Sequence, residues 1–464
     1  MRNQRRLSAV LLLCFVLRPA TAGAEAKPWD HGDLQIGPDQ RTIVHADGTP
    51  FFWLGDTAWM MIHRASDEEV DCYYANRSAL GFNVTLQVAL GEIGEWNQPN
   101  RNGDRPFHDG DVGRPNEPYW RFVDSVIDRA AQYRMYVALL PTWGRWVIDE
   151  PHITINNAYG YGRFLGRRYG DRPNLLWVLG GDRPPIDKDG TDYRPLWQQM
   201  ANGIEKHSSR KNLMTYHRKF EWKLNREPWY DIYMTGPAHG RRDNPHIVQA
   251  VTYDWNLDPT KPIVDGEPPY EDHPVGWNAD NGFLDAFDVR QGAYWSLFAG
   301  AVGHSYGHHS IWQWYWPPTY RKYGDVLVTA EEALNRPGAR QMQHMRALIE
   351  SRPLIGREPA QELLRKNFPH DDPQQGGRHI RCIRGNGYVM LYTPHGDELL
   401  VDGDELPAAR IEAWWYNPRN GQSERIGTFD AADHRFDPPG ESTRGNDWVL
   451  VLDDHEKNYP TPGI

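Results

Sequence analysis

Short apolar runs alternate with stretches of helical periodicity between about residue 50 and residue 350. This alternation is typical of βα units arranged around a parallel sheet. The runs are Phe51–Leu54, Phe82–Leu90, Met135–Leu140, Leu175–Leu179, Leu213–Tyr216, Ile232–Met234, Pro262–Val264 and Ala301–Tyr306. Eight such units in one segment predict an α/β fold, a (β/α)8 TIM barrel.

Helix signals between the runs support a barrel. Ser66 and Glu69 have the spacing of a capping box, and Gly81 follows as a stop signal. Two further helices are predicted from apolar stripes at helical spacing. The stripes consist of Trp120, Val123 and Ile127, and of Leu196, Met200 and Ile204. We expect a helix near 340–350 to close the barrel, and a hairpin of Leu34–Ile36 and Thr42–His45 to precede it.

The periodicity changes from helical to alternating beyond residue 377. Gly387–Thr393, Glu412–Trp415 and Trp448–Leu452 alternate as strands do, and turn signals such as Asn420-Gly421 separate them. This segment predicts a small C-terminal β-sandwich. We therefore expect a barrel domain over residues 25–355 and a β-sandwich domain over residues 356–464.

The first 24 residues resemble a secretory signal peptide. Three arginines within the first six residues precede the apolar run Ala9–Leu17, and small residues follow up to Ala24. The apolar run is too short to span a membrane. We therefore expect residues 1–24 to be cleaved and the protein to be secreted or periplasmic, without membrane insertion.

Composition and charge exclude several classes of protein. The 51 Lys and Arg residues against 62 Asp and Glu residues give a net charge of −11, which provides no field for nucleic acid. Only three cysteines are present, and no glycine-rich nucleotide motif occurs at a strand-to-helix junction, so no cofactor is expected. The 20 tryptophans indicate either a large aromatic core or a carbohydrate site, because Trp offers large rigid surfaces.

Polar clusters after the predicted strands indicate where chemistry would take place. In a TIM barrel the catalytic groups lie at the C-terminal ends of the strands. Asp182 follows the fourth predicted strand and Glu267 the seventh, each directly after a glycine. Glycoside hydrolysis requires two such carboxyl groups. We predict Asp182 as general acid/base and Glu267 as nucleophile, although either residue taken alone could belong to a surface turn.

Further polar and aromatic residues at the same rim are candidates for substrate binding. They are Asp56, Trp59, Gln87, Trp96, Trp143, His217, His304, Tyr306 and His308. For Asp56 a buried structural role is the alternative. The histidines near His304 lack the glutamate of a zinc-binding helix, so no metal is expected. The insertion Gly91–Pro118 is either a pocket wall whose arginines suit an acidic sugar or a solvated loop.

Several motifs resemble those of a known family. Phe52–Trp59, Leu179–Asp182 and Gly303–Gly307 resemble the apiosidase-like catalytic domain of glycoside hydrolase family 140. Gly266–Pro268 fits the nucleophile strand of that family. The tail from Tyr388 to Gly421 resembles the small domain that usually follows, which carries the label collagen-binding.

This resemblance implies a (β/α)8 barrel in which Asp182 is the acid/base aspartate and Glu267 the second catalytic carboxylate. The characterised activity of the family is release of apiofuranose from a branched pectin. The hypothesis is therefore an exported glycoside hydrolase that cleaves a furanosidic, apiose-like or pectin-type side-chain linkage in an oligosaccharide or polysaccharide, with retention expected. An inactive carbohydrate-binding barrel is the alternative, and a collagen-directed peptidase is disfavoured because no zinc motif or serine elbow is present. The sequence indicates no particular oligomeric state.

Overall fold

The computed structural model describes residues 26–464, with the exception of 218–221, 237–241, 244–245 and 373. The predicted signal peptide lies outside these residues. Within the described part of the chain, no helix has the length and apolar character needed to cross a membrane.

A small antiparallel sheet covers the amino-terminal end of the barrel. It contains β1 (Leu34–Ile36), β2 (Ile43–His45) and β3 (Pro50–Phe51). The first two strands form the predicted hairpin. The rings of Trp29 and Phe51 pack edge-on against Tyr136, which begins the third barrel strand. These contacts place the small sheet opposite the rim that carries the carboxyl ends of the strands.

Eight parallel strands form the barrel, and each overlaps one of the eight predicted runs. They are β4 (Trp53–Thr57), β5 (Val84–Val88), β6 (Tyr136–Leu140), β7 (Leu175–Gly180), β8 (Met214–His217), β9 (Tyr233–Thr235), β10 (Ile263–Asp265) and β11 (Gly303–Tyr306). The order is β8-β7-β6-β5-β4-β11-β10-β9, and a parallel bridge between Thr215 and Ile232 closes the sheet. The predicted barrel is therefore confirmed.

Helices surround the barrel strands. They are α1 (Met61–Arg64), α2 (Asp67–Ala79), α3 (Glu117–Gln132), α4 (Arg145–Ile148), α5 (Ala158–Tyr169), α6 (Arg194–Glu205), α7 (His246–Trp255), α8 (Ala286–Phe298), α9 (His309–Trp312), α10 (Ala330–Ala333) and α11 (Pro337–Glu350). The predicted capping box begins α2, because Ser66 Oγ accepts from the Glu69 amide and the Glu69 side chain accepts from the Ser66 amide. The predicted apolar stripes are the buried faces of α3 and α6.

The C-terminal domain consists of two antiparallel layers of unequal size. Its strands are β12 (Glu358–Pro359), β13 (Arg381–Gly385), β14 (Tyr388–Thr393), β15 (Leu399–Val401), β16 (Arg410–Tyr416), β17 (Ser423–Asp430), β18 (His434–Phe436) and β19 (Trp448–Asp454). Six of them form one sheet in the order β12-β13-β14-β19-β16-β17, and β15 pairs with β18 in the second layer. The predicted strands and two-layer architecture are present, with a second layer of only two strands.

The large sheet of this domain has two buried faces. Along β14, Val389 and Leu391 lie in the core between the two layers, whereas Met390 and Tyr392 belong to the core shared with the barrel. The ring of Tyr392 stacks on Tyr294 of α8, with 4.7 Å between centroids and 12° between planes. Successive side chains of a strand point to opposite faces. Alternate residues of β14 therefore belong to two different cores, one within this domain and one shared with the barrel.

Buried ion pairs also cross between the two domains. Arg290 on α8 donates to both carboxylate oxygens of Asp447, at 2.9 and 2.8 Å. Arg352, just after α11, donates to both oxygens of Asp453, at 2.8 and 2.7 Å. All four side chains are buried. Separation of the domains would therefore expose both an apolar face and paired charges.

Candidate active site

A glycine turn after β7 presents Asp182 at the carboxyl rim of the barrel. Gly180, Gly181 and Asp182 have φ angles of 86°, 111° and 49°. A Cβ on Gly180 would lie 2.5 Å from the ring of Tyr216, and one on Gly181 would lie 2.6 Å from the ring of Trp143. Only glycine satisfies both the left-handed backbone and the lack of space. Asp182 itself is a non-glycine residue in a sparsely populated conformation, which is common at functional sites.

Glu267 lies two residues after the end of β10, on the facing side of the barrel. Its side chain is only 8% exposed, whereas that of Asp182 is 37% exposed. Tyr270 Oη donates to Glu267 Oε1 at 3.2 Å, and Trp59 Nε1 donates to Tyr270 Oη at 3.3 Å. These contacts hold the carboxylate in one orientation.

His217, at the end of β8, lies between the two carboxyl groups. Its Nδ1 is 3.7 Å from Asp182 Oδ1, and its Nε2 is 3.3 Å from Glu267 Oε2. One oxygen of Asp182 and one of Glu267 lie within 4.8 Å of each other. The structure thus brings together both predicted catalytic residues and one predicted binding residue.

Two predicted tryptophans line the cavity beside the carboxyl pair. The ring centroids of Trp59 and Trp143 are 5.5 Å apart, and both rings pack against His217, at 5.3 and 5.4 Å. The cavity has a volume of about 410 Å³, and both tryptophans, both carboxyl groups and Tyr270 line it. This size is within the usual range of small-molecule sites.

Arginine–carboxylate pairs form one wall of the cavity. Arg145 Nη2 is 2.6 Å from Glu150 Oε1, and Arg183 Nη2 is 2.6 Å from Asp149 Oδ2. These residues follow β6 and β7. Both arginines therefore already have a carboxylate partner, and an acidic substrate group at this wall would have to share them.

Glu92, beyond the end of β5, also lines the cavity, and its carboxyl group has no place among the predicted site residues. Enclosure by protein raises the pKa of Glu92 well above its usual value, and the negative charges of Asp182 and Glu267 raise it further. Arg145 Nη1 donates to the Glu92 carbonyl oxygen at 3.5 Å. Glu92 is not among the predicted site residues, although it follows the second apolar run as Asp182 follows the fourth.

The rest of that insertion is not a basic wall. Only its first residues, Glu92 to Gly94, are among the cavity-lining residues. Arg101 is 3.2 Å from Glu69, and Arg105 donates to the carbonyl oxygen of Asn97 at 2.8 Å. The arginines of the insertion therefore stabilise the loop, and the arginines of the cavity come from the loops after β6 and β7.

Asp56 and Gln87 are buried in the layer between the strands and α2. Asp56 Oδ2 accepts from Arg77 Nε at 2.6 Å, and Gln87 Nε2 donates to Tyr74 Oη at 2.7 Å. Arg77 and Tyr74 are on α2. Since side chains alternate along a strand, these positions face the helices and not the site. For Asp56 the structural alternative is the one that the geometry supports.

His304 and Tyr306 occupy the outward positions of β11 in the same way. His304 Nδ1 is 3.0 Å from Asp265 Oδ2, and Tyr306 Oη donates to Glu271 Oε2 at 2.7 Å. All four side chains are buried, and none is among the cavity-lining residues. A position near the end of a strand predicts a place at the rim but not the direction of the side chain, and neither of these two side chains lines the cavity.

His308 and Trp96 also lie outside the cavity lining. His308 Nε2 is 3.1 Å from Asp272 Oδ2. Trp96 stacks on His152, with centroids 4.5 Å apart, and its Nε1 donates to the Gly110 carbonyl oxygen at 3.1 Å. Trp96 thus packs within the insertion loop, as an aromatic core residue would.

Metal-ligating atoms converge at the carboxyl pair itself. Among the described residues, Asp182, His217 and Glu267 each offer one ligand atom, and the three atoms lie within 4.8 Å of one another. Two carboxylates and an imidazole could ligate a divalent ion. By contrast, His304 and His308 face two different aspartates and do not converge.

Comparisons with known proteins agree with the two-domain fold. The family model described as "Apiosidase-like, catalytic domain" matches residues 37–356, and the one described as "Putative collagen-binding domain of a collagenase" matches residues 359–453. No curated protein matches the chain significantly.

Two solved structures cover nearly the whole chain. One, named "Glycoside hydrolase", is 31% identical with a TM-score of 0.85, covering 94% of this chain and 100% of its own. Another, a glycoside hydrolase family 5 protein from Bacteroides vulgatus ATCC 8482, is 30% identical with a TM-score of 0.86, covering 94% of this chain and 96% of its own. The chain therefore belongs to the apiosidase-like family and is a glycosidase, an enzyme that hydrolyses glycosidic bonds.

Proposed function

We propose that this glycosidase is exported and cleaves a furanosidic, apiose-like or pectin-type side-chain linkage, with Asp182 as general acid/base and Glu267 as nucleophile. One observation carries the assignment of the pair. Oxygens of Asp182 and Glu267 lie within 4.8 Å across the cavity, with His217 between the two groups.

The surroundings of the two carboxyl groups suit different roles. Glu267 is buried and held by Tyr270, as a nucleophile that must attack in one direction requires. Asp182 is the more exposed group. In the first step it would protonate the departing oxygen, and in the second it would take a proton from the incoming water. Access to solvent is necessary for that second step.

The separation of the pair supports retention of configuration. Retaining enzymes hold their carboxyl groups about 5–5.5 Å apart, whereas inverting enzymes leave about 6.5–9.5 Å for a water molecule. Oxygens of the two groups within 4.8 Å of each other match the shorter separation better than the longer one. Retention would proceed through a covalent glycosyl–Glu267 intermediate.

The first test is a screen of the purified protein against pectins and other glycans, with identification of the released sugars. We expect release from an apiose-bearing pectin. Release from an unrelated glycan alone would contradict the proposed substrate but not the catalytic pair. Binding without release from any glycan would favour the inactive carbohydrate-binding alternative.

Substitution of each carboxyl group separates the two roles. Glu267→Gln should abolish turnover of every substrate. Asp182→Asn should lower the rate on the natural glycan by about 10²–10⁴-fold, because a positioned general acid contributes that much. The leaving group of an activated aryl glycoside departs without protonation. On such a substrate, azide should restore turnover of Asp182→Asn and yield a glycosyl azide of retained configuration. Glu205→Gln, on the exposed end of α6, is the matched control. Near wild-type activity in a folded Asp182 or Glu267 variant would show that the pair is wrong.

Chelation tests the alternative use of the same three side chains. A carboxylate pair needs no metal, so we expect kcat and KM to stay unchanged after dialysis against EDTA. Loss of activity that added divalent ions restore would instead assign Asp182, His217 and Glu267 as metal ligands.

A further inference from the structure

Three aromatic side chains form an edge-to-face cluster at the mouth of the cavity. Trp277 is 49% exposed, Tyr323 50% and Trp312 5%, and all three line the cavity. The ring centroids of Trp277 and Tyr323 are 5.5 Å apart, those of Trp312 and Tyr323 5.7 Å, and those of Trp277 and Trp312 6.3 Å. We call this group the aromatic platform.

The backbone on both sides of the platform is firmly held. Trp277 has a φ of 64°, and its amide donates to the Pro274 carbonyl oxygen at 2.9 Å. The buried Gln313 side chain accepts from the Tyr323 amide at 2.7 Å and donates to the Tyr323 carbonyl oxygen at 3.1 Å. An exposed ring on an anchored, partly strained backbone has a fixed position, which is what a pre-organised binding site requires.

The platform lies on the wall opposite the ion pairs. Its residues follow β10 and β11, whereas Arg145 and Arg183 follow β6 and β7. The cavity is continuous between the two walls, and the catalytic carboxyl groups line it together with the platform. Flat aromatic faces suit the apolar C–H faces of an uncharged ring.

We propose that Trp277, Trp312 and Tyr323 form a second sugar-binding subsite, which stacks on a ring joined to the sugar whose bond is cut. This inference rests on the proposed glycosidase site, because it places the two rings of one glycan in one cavity. It predicts that the enzyme prefers substrates of more than one sugar.

The test compares two substrates on the same variants. Apiofuranosyl fluoride carries a single sugar and no second ring, and the comparison substrate is an oligosaccharide from partial hydrolysis of apiose-bearing pectin. For Trp277→Ala and Tyr323→Ala, the ratio of kcat/KM on the oligosaccharide to kcat/KM on the fluoride should fall about tenfold, as expected when a central aromatic contact is removed. Trp277→Phe should restore most of the ratio. Tyr253→Ala removes an exposed aromatic ring of α7 outside the cavity lining and should leave the ratio unchanged.

Several outcomes would overturn the inference. A ratio within twofold of wild type in both alanine variants would show that the platform binds no sugar. Equal losses on both substrates would show that it supports the catalytic centre instead. If wild-type protein cleaves neither substrate, the proposed substrate is wrong, and the platform is then tested with Glu267→Gln protein titrated with the glycan that the screen identifies. Oligosaccharides extended on the glycone or on the leaving-group side, compared in the same way, show which ring the platform holds.

Discussion

Five carboxyl groups line the small cavity, and two of them, Asp149 and Glu150, are paired with arginines. Asp182, Glu267 and Glu92 line it together, while Arg64 and Arg183 oppose the resulting upward shift in the pKa of Glu92. Enclosure is the largest cause of that shift, and the two like charges add to it. A Glu92 carboxyl that keeps its proton can donate a hydrogen bond to a sugar hydroxyl group, which an ionised one cannot.

Glu92→Gln should stabilise the protein increasingly as the pH rises. A carboxyl group with a raised folded-state pKa favours folding only while it is protonated, and this stability is lost as the pH rises from the usual pKa near 4.5 through the folded-state value. Gln does not ionise. The difference in melting temperature between variant and wild type should therefore grow from pH 4 towards neutral and alkaline pH. A difference that does not vary with pH would contradict a raised pKa.

Asp56→Ala should reduce stability without impairing the chemistry. Asp56 and Arg77 are both fully buried, and removal of one partner leaves the other as an uncompensated charge. The expected loss in unfolding free energy is about 3–5 kcal/mol. In a double variant, Asp56→Ala with Arg77→Met, the loss should be smaller. Denaturant titration measures both effects, and kcat per folded molecule should match wild type. A large fall in kcat at unchanged stability would instead support a substrate-binding role for Asp56.

At the scale of elements, the candidate catalytic residues lie at or just after the ends of the strands, whereas polar residues within the strands have structural roles. His217 is the last residue of β8, and Asp182 and Glu267 lie two residues after the ends of β7 and β10. Asp56 lies within β4 and bonds to Arg77 of α2, whereas Tyr306, the last residue of β11, bonds to the buried Glu271. Because side chains alternate along a strand, neighbouring residues point to opposite faces of the sheet. The apolar runs of a parallel sheet are buried on both faces, however, so the sequence pattern does not reveal which residues face the interior of the barrel.

Gly180→Ala should reduce activity more than stability. The substitution strains a φ of 86° and sets a Cβ 2.5 Å from the Tyr216 ring, so the turn that carries Asp182 must shift. Strain of this kind is worth about 1–3 kcal/mol. Gly190→Ala is the matched control, because its φ of 87° is equally unfavourable but nothing lies within 4 Å of the added Cβ. Comparison of the melting temperatures and kcat/KM of the two variants distinguishes the effect of backbone strain from the effect of displacing the turn that carries Asp182. Equal kcat/KM in the two variants would show that the turn does not position Asp182.

At the scale of the whole molecule, the C-terminal domain functions as a part of the barrel's packing. Its large sheet buries Met390 and Tyr392 against barrel helices, and Arg290 and Arg352 each reach a buried aspartate of the domain. The family model that matches this domain is described as collagen-binding. That description belongs to the family and does not identify a ligand of this chain. The contacts favour a stabilising role.

A chain that ends at Gly356 should lose solubility or thermal stability. Truncation exposes the apolar face that the large sheet covers and leaves Arg290 without its buried partner, Asp447. Soluble yield and melting temperature measure the effect, with the full-length chain as control. A truncated chain that remains folded and active but no longer binds insoluble polysaccharide would instead identify the domain as a binding module.

Local sequence patterns determined the strands and helices of the barrel, the C-terminal strands and the capping of α2, because these features depend on neighbours within a few residues. Strand order also determined that Asp182 and Glu267 would face each other. Tertiary structure alone decided the direction of Asp56 and His304. It also brought Trp277 and Tyr323 together, since loops without periodicity carry them. Burial, which raises the pKa of Glu92, likewise arises only when distant segments enclose one side chain.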